Sequence, residues 1–236
     1  MILTQNHSDS VKLVLNTMAA LDDALGNRSN LDSSMTSIEN LCGFSGESFR
    51  HFMNNIGSIP GINYLEVGSY CGSTLFSLLY KNLGTVNKAY AIDNWCQFNE
   101  EGNPKEAFFK NKELFFPQGI PQLEVFEHDC FSFDLSNIKD KINFYFYDGP
   151  HDEEDHYNAY VYYNSILADE FITVVDDWNS GRVKRGTNRA FKDLGYEIIS
   201  SFDIDTSDIP GWSENPDSKW WRGAMIAIVK KKRISK

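Results

Sequence analysis

The chain has 236 residues, 22 basic and 33 acidic side chains and a net charge of −11, a length that suits one α/β domain with additions and a sizeable core. An acidic balance of this size repels phosphate backbones, which disfavours a nucleic-acid substrate. Cys42, Cys71, Cys96 and Cys130 have no paired spacing and read as reduced thiols of a cytoplasmic protein. No apolar run approaches the roughly 20 residues of a membrane span, and the N-terminus lacks the regions of a signal peptide. The terminal Lys230-Lys231-Lys232-Arg233 reads as a solvated tail closing a strand.

In chain order, Ser8 to Leu25 carries Val11, Val14, Leu15, Met18 and Leu25 at a helical period, and Gly26 stops it. Residues 27–36 are polar and read as a loop. A second helix is expected from Gly46 to Ile56, with Phe49, Phe52, Met53 and Ile56 on one face. These helices either cover a ligand or merely pack on a sheet. Ile62 to Glu66 is a short apolar run ending in a carboxylate, the pattern of a buried parallel strand. Gly68 and Gly72 bracket the loop that follows, flanked by Ser69 and Ser73, before a helix beginning at Thr74. Strand, glycine loop and helix start form a cradle for a nucleotide-like ligand, because a Cβ would hold that ligand off the backbone. Lys88 to Asp93 is a second strand, and its terminal acid stands where ribose hydroxyls are bound in nucleotide-binding α/β folds.

Beyond Asp93 and Asn94, the indole of Trp95 either stacks on a base or belongs to the core. Asn103-Pro104 opens a helix with Phe108, Phe109 and Phe115, which Pro117 ends. Leu123 to Asp129 is the third strand, and a capping role is one reading of Asp129. Ile142 to Asp148 is the fourth, followed by Gly149-Pro150-His151 and a helix with an acidic first turn. The inner face of that helix reads as Tyr157, Tyr160, Val161, Asn164, Leu167 and Ala168. Phe171 to Trp178 is the fifth strand, carrying Asp176 and Asp177. Neighbouring parallel strands would deliver Asp148, Asp176 and Asp177 to one edge, where three carboxylates repel unless a cation sits among them. Oxygen donors of this kind suit Mg²⁺. The alternative is that Asp148 and Asp177 cap the following helices, which leaves the adjacent pair unexplained. A helix from Gly181 to Gly195, a strand from Tyr196 and an edge-region antiparallel strand from Gly223 to Val229 complete the pattern. Residues 203–222, with Trp212, Trp220 and Trp221, form an insertion that either closes over a site or packs.

Glu66-x-Gly68-x-x-x-Gly72-x-Thr74, followed by the strand-ending Asp93, resembles the class I S-adenosylmethionine-dependent methyltransferases, in particular their metal-dependent O-methyltransferase branch. Asp148-Gly-x-His151 together with Asp176-Asp177-Trp178 resembles the metal-dependent sugar O-methyltransferases of the macrocin and mycinamicin type. The resemblance runs from Tyr64 to Trp178. It implies a doubly wound Rossmann-like fold with a seven-stranded, mostly parallel sheet, residues 1–58 being a helical cover of the same domain and 59–236 the methyltransferase domain. It further implies S-adenosylmethionine held by Glu66, Gly68, Ser69, Gly72, Ser73, Asp93, Asn94, Trp95, Asp129 and Asp148, with Asp129 meeting the adenine. Mg²⁺ would take Asp148, Asp176 and Asp177, His151 would be the general base, and the acceptor would be a saccharide or other small polyhydroxy molecule. Neither a nucleic-acid nor a membrane partner is implied, and a homo-oligomer is compatible with it. A nicotinamide dehydrogenase would need glycine at Tyr70 and Ser73, and an amino methyltransferase would need Pro-Pro after Asp148. A catalytically silent cofactor-binding protein, or a methyltransferase with a non-sugar acceptor, is the alternative.

Overall fold

A computed structural model describes residues 5–31, 41–99, 102–206 and 219–232, with side chains from residue 9 onward. Among these residues, seven strands form one sheet: β1 (Ile62–Val67), β2 (Val86–Asp93), β3 (Leu123–Glu127), β4 (Ile142–Tyr147), β5 (Leu167–Val175), β6 (Tyr196–Ile204) and β7 (Ala224–Lys231), in the order β3-β2-β1-β4-β5-β7-β6. The pairs among β1 to β5 are parallel, and β7 runs antiparallel to both β5 and β6. The seven-stranded Rossmann-like expectation holds. The antiparallel strand expected in the edge region is β7, which lies one strand in from the edge strand β6.

Among the described residues, six α-helices flank the sheet: α1 (Gln5–Leu25), α2 (Glu47–Gly57), α3 (Ser73–Leu79), α4 (Pro104–Phe115), α5 (Glu153–Tyr163) and α6 (Gly181–Asp193). Side chains alternate along each strand, so each strand feeds two cores. Tyr64, Ala91, Phe144, Phe146, Val174 and Ile226 face α1 to α4, while Leu65, Tyr90, Tyr145, Val175 and Ala227 face α5 and α6. Burying these apolar surfaces on both faces is what stabilises a parallel sheet. The N-terminal helices belong to the first core through Ala20, Leu21, Ala24, Phe49, Phe52, Met53 and Ile56. Asn54 of α2 is fully buried and donates to the carbonyls of Ser77 (2.7 Å) and Tyr80 (2.9 Å), tying α2 to the end of α3.

Three local expectations are corrected. On α1, Val11, Leu15, Met18 and Leu25 are exposed, and the buried face is Thr17, Ala20, Leu21 and Ala24. Asn55 of α2 donates to the Ala20 carbonyl at 3.2 Å, an approach that small residues permit. On α5, Val161 is exposed and the helix ends at Tyr163, so Leu167 and Ala168 already belong to β5. At the C-terminus, Lys230 and Lys231 are strand residues, and Lys231 Nζ donates to the Leu167 carbonyl at 2.7 Å.

Candidate active site

Parallel pairing sets β1, β4 and β5 side by side with Val67 opposite Tyr147 and Tyr147 opposite Val175. The residues that follow, Gly68, Asp148 and Asp176, therefore emerge together at the carboxyl edge. The Asp148 amide donates to the Val67 carbonyl at 2.8 Å, which draws the two loops together. Gly68 has φ +87°, and a Cβ there would stand 2.0 Å from the Asp148 carbonyl oxygen. Only glycine fits that approach. Above this edge opens a cavity of about 570 Å³.

At its floor, ligand atoms of Asp148, His151 and Asp176 lie within 4.8 Å of one another. Asp176 is buried, and the Asp148 side chain is 28% exposed. Burial and mutual repulsion push both carboxyls well above the usual carboxylate range. His151 Nε2 is buried without a hydrogen-bond partner, 3.4 Å from Asp148 Oδ1 and 4.0 Å from Asp176 Oδ2. A lone nitrogen between two crowded carboxyls is the environment a divalent cation would relieve, so the donor set fits one. Asp177 stands apart from this trio, with Oδ2 3.8 Å from His151 Nδ1 and 3.8 Å from Arg222 Nη1. The trio accordingly substitutes a nitrogen for one of the three carboxylates expected from the sequence.

Of the residues expected to hold the cofactor, Gly68, Asp93, Asn94, Trp95, Asp129 and Asp148 line the cavity. Asp93 accepts from the backbone amides of Tyr70 and Trp95, both at 2.7 Å, and each oxygen keeps a lone pair for a ligand hydroxyl. Asp129 caps its own turn by accepting from the Phe131 amide at 3.0 Å. Trp95 is committed to the core: its indole N–H donates to the Tyr70 carbonyl at 2.8 Å and its ring meets Phe108 edge-on. Glu66, Ser69, Gly72 and Ser73 do not line the cavity. Glu66 is fully buried, accepts from Tyr64 and Thr74 hydroxyls, and is pushed up to about 7 by burial despite those bonds. It braces the strand–helix junction. Gly72 is the left-handed residue that opens α3, and a Cβ there would strike the Phe76 ring at 2.3 Å. Ser73 faces Ser45 at 3.0 Å.

The lining residues Phe44, Tyr70 and Phe98 escaped the sequence reading, whereas Trp221 belongs to the insertion expected to close over a site or pack. Phe44, Tyr70, Phe98 and Trp221 form an aromatic wall, with Phe44 stacked on Tyr70 at 4.9 Å and 5.8 Å from Trp221. His156 lies beneath His151 with rings nearly parallel at 5.6 Å, and burial lowers it to about 3, so it stays neutral. His156 was findable, five residues after His151 on the first turns of a helix. Phe44 was not, because only tertiary packing brings it here. Among the described residues, seven non-glycine positions have positive φ, and Tyr70, Trp95, Phe98, Asp177 and Trp221 of these line the cavity. Backbone strain gathered at one cavity is a mark of a working site. Of the tryptophans in the 203–222 insertion, Trp221 lines the cavity, Trp220 is buried in the core, and Trp212 lies outside the described residues.

Residues 65–178 match the family described as "Methyltransferase domain". That stretch is a methyltransferase domain. The matched stretch contains every cavity residue from Gly68 to Asp177 named above. Three solved structures share its fold. Cofactor-bound Rv0187 from MTB aligns at 14% identity over 93% of this chain and 90% of that one, with a TM-score of 0.53. An O-methyltransferase from Bacillus cereus in complex with SAH aligns at 14% identity over 90% and 91%, TM-score 0.52. A Staphylococcus aureus protein provisionally assigned as a caffeoyl-CoA O-methyltransferase aligns at 14% identity over 92% and 100%, TM-score 0.55. No curated protein matches the sequence. Among the described residues, no helix is long and apolar enough to cross a membrane.

Proposed function

We propose that the methyltransferase domain transfers a methyl group from S-adenosylmethionine to a hydroxyl oxygen of a small polyhydroxy acceptor, saccharide-like in class, with help from a divalent cation. The observation that carries this reading is the Asp148–His151–Asp176 trio at the floor of the same cavity that Asp93 and the glycine loop enclose. Asp93 and Asp129 would hold the nucleoside, and Gly68 lets the backbone come close. When bound, the cofactor would supply an already activated methyl sulfonium, and a cation held by Asp148 and Asp176 would supply positive charge that lowers the pKa of the acceptor hydroxyl. His151 takes the hydroxyl proton at Nε2, while Asp177 near Nδ1 orients the ring. The aromatic wall gives the C–H face of a sugar ring a surface to lie on, which supports a saccharide-like acceptor.

A second assignment of His151 is favoured by its Nε2 facing both carboxyls, which would make it the third cation ligand rather than the base. The test is methyl transfer to a panel of mono- and disaccharides, assayed with EDTA and with Mg²⁺ or Mn²⁺ added back. Turnover should vanish with the chelator and return with the metal. Full turnover in excess EDTA overturns the cation, and calorimetry showing no binding of S-adenosylhomocysteine overturns the cofactor.

A further inference from the structure

Beside the lining residue Tyr70, two thiols face each other. Cys71 lies in the glycine loop and is buried, and its S–H donates to Cys42 Sγ at 2.8 Å. Cys42 is exposed to solvent and belongs to the segment ahead of α2. The two sulfurs would need to approach by only about 0.8 Å more to reach a disulfide bond length of about 2.05 Å. The segment is already seated on the loop. A Cβ on Gly43 would stand 2.2 Å from Ser73 Oγ, Ser45 meets Ser73 at 3.0 Å, and Phe44 stacks on Tyr70. Buried Arg50 donates to Ser45 Oγ at 2.9 Å and to the Gly43 carbonyl at 3.3 Å, which anchors the segment beside the loop.

We propose that Cys42 and Cys71 form a redox modification site, through which a low-molecular-weight disulfide such as oxidised glutathione fastens the segment ahead of α2 to the glycine loop. The Cys42 thiolate attacks one sulfur of the small disulfide, forms a mixed disulfide and releases one glutathione. The Cys71 thiol gives up its proton to the released thiolate and attacks the Cys42 sulfur, forming the Cys42–Cys71 bond and expelling the second glutathione. Two protein thiols are oxidised, and one small disulfide is reduced to two thiols. Burial pushes the Cys71 thiol up, so the closing step is the slow one. The bond then fixes Tyr70 and Phe44 at the cavity wall. An effect on cofactor exchange rests on the methyltransferase reading, but the chemistry of the pair does not.

The full chain is treated with oxidised glutathione, digested without reduction and mapped by mass spectrometry. A Cys42–Cys71 linked peptide, lighter by two hydrogens than its parts, is expected, and Cys42→Ser and Cys71→Ser should each abolish it. Exposed Cys96 should carry only glutathione and serves as the control for reagent access. Hydrogen exchange of amides 68–76 should slow about tenfold in the linked protein, recover with dithiothreitol, and be unaffected by the oxidant in Cys42→Ser. Release of S-adenosylhomocysteine should slow in step. Mixed disulfides alone at Cys42, or links to Cys96 or Cys130 instead, overturn the site. A linked protein with unchanged amide exchange overturns the fastening of the loop. Failure of the reduced protein to bind S-adenosylhomocysteine would count against the methyltransferase reading and leave the peptide map and amide exchange to decide this one.

Discussion

Asp93 is held by two backbone amides before any ligand arrives, so its carboxylate is preorganised, and burial raises it above the ordinary aspartate value. Asp93→Ala should weaken S-adenosylmethionine binding by about 1–3 kcal/mol, the cost of leaving ligand hydroxyls without a charged acceptor. Unchanged affinity by calorimetry in a folded variant would remove Asp93 from the cofactor site. His151→Ala separates the two assignments of that ring. As a general base, its loss should lower kcat by about 10²–10⁴ with cation affinity kept, and the residual rate should climb with pH as hydroxide takes over. As a third ligand, its loss should weaken cation affinity in parallel with kcat, which a metal titration would reveal. Single residues of this kind were legible because an acid closing a parallel strand must emerge at the carboxyl edge. Asp93, Asp148 and Asp176 all follow that rule. The turn of Asp177 away from the trio was not legible, because it depends on a left-handed backbone at φ +51° and on Arg222, far along the chain.

The elements themselves were readable wherever the apolar pattern was strong, as in β1, β4 and the opening of α4, where Asn103 accepts from the Glu106 amide at 3.1 Å. The pattern misled at α1, whose largest apolar side chains are exposed while Thr17, Ala20 and Ala24 are buried. Hydrophobicity ranks side chains by size, whereas close helix packing selects small ones, and the sequence carries no measure of helix separation. It also missed the start of β5, where Asp169 and Glu170 interrupt the apolar run. The end of the 203–222 insertion divides between two adjacent tryptophans, which gives a prediction at this scale. Trp220 is buried with Phe49 and Phe52, so Trp220→Ala should cost about 3–5 kcal/mol of stability, read as a lowered Tm. Trp221 has positive φ and lines the cavity. Trp221→Ala should raise the acceptor KM several-fold while leaving cofactor affinity and Tm close to wild type. Equal losses of Tm in both variants would show that neither tryptophan serves the acceptor.

For the whole molecule, the acids buried along the sheet's carboxyl edge couple folding to pH. Glu66 is raised from 4.5 to about 7, and Asp148 and Asp176 rise in the same direction, in each case first through burial. An acid whose folded value exceeds its unfolded value binds its proton more tightly when folded. Its contribution to stability is therefore complete below the unfolded value and is lost as pH rises through the folded one. Between about pH 4.5 and 7, Glu66 alone should lower stability by an amount on the order of 3 kcal/mol. The metal-free protein should accordingly melt at a higher temperature near pH 5 than near pH 8, and Glu66→Gln should flatten part of that slope. A cation bound by Asp148 and Asp176 competes with their protons, so its stabilising effect must run the opposite way and grow with pH. Thermal melts in EDTA and in millimolar Mg²⁺ or Mn²⁺ across pH 5–8 would display both trends at once. A Tm in EDTA that is flat or rising with pH would refute the protonated edge. Curves with and without cation that coincide at pH 8 would refute a divalent site at Asp148 and Asp176, whatever the protein methylates.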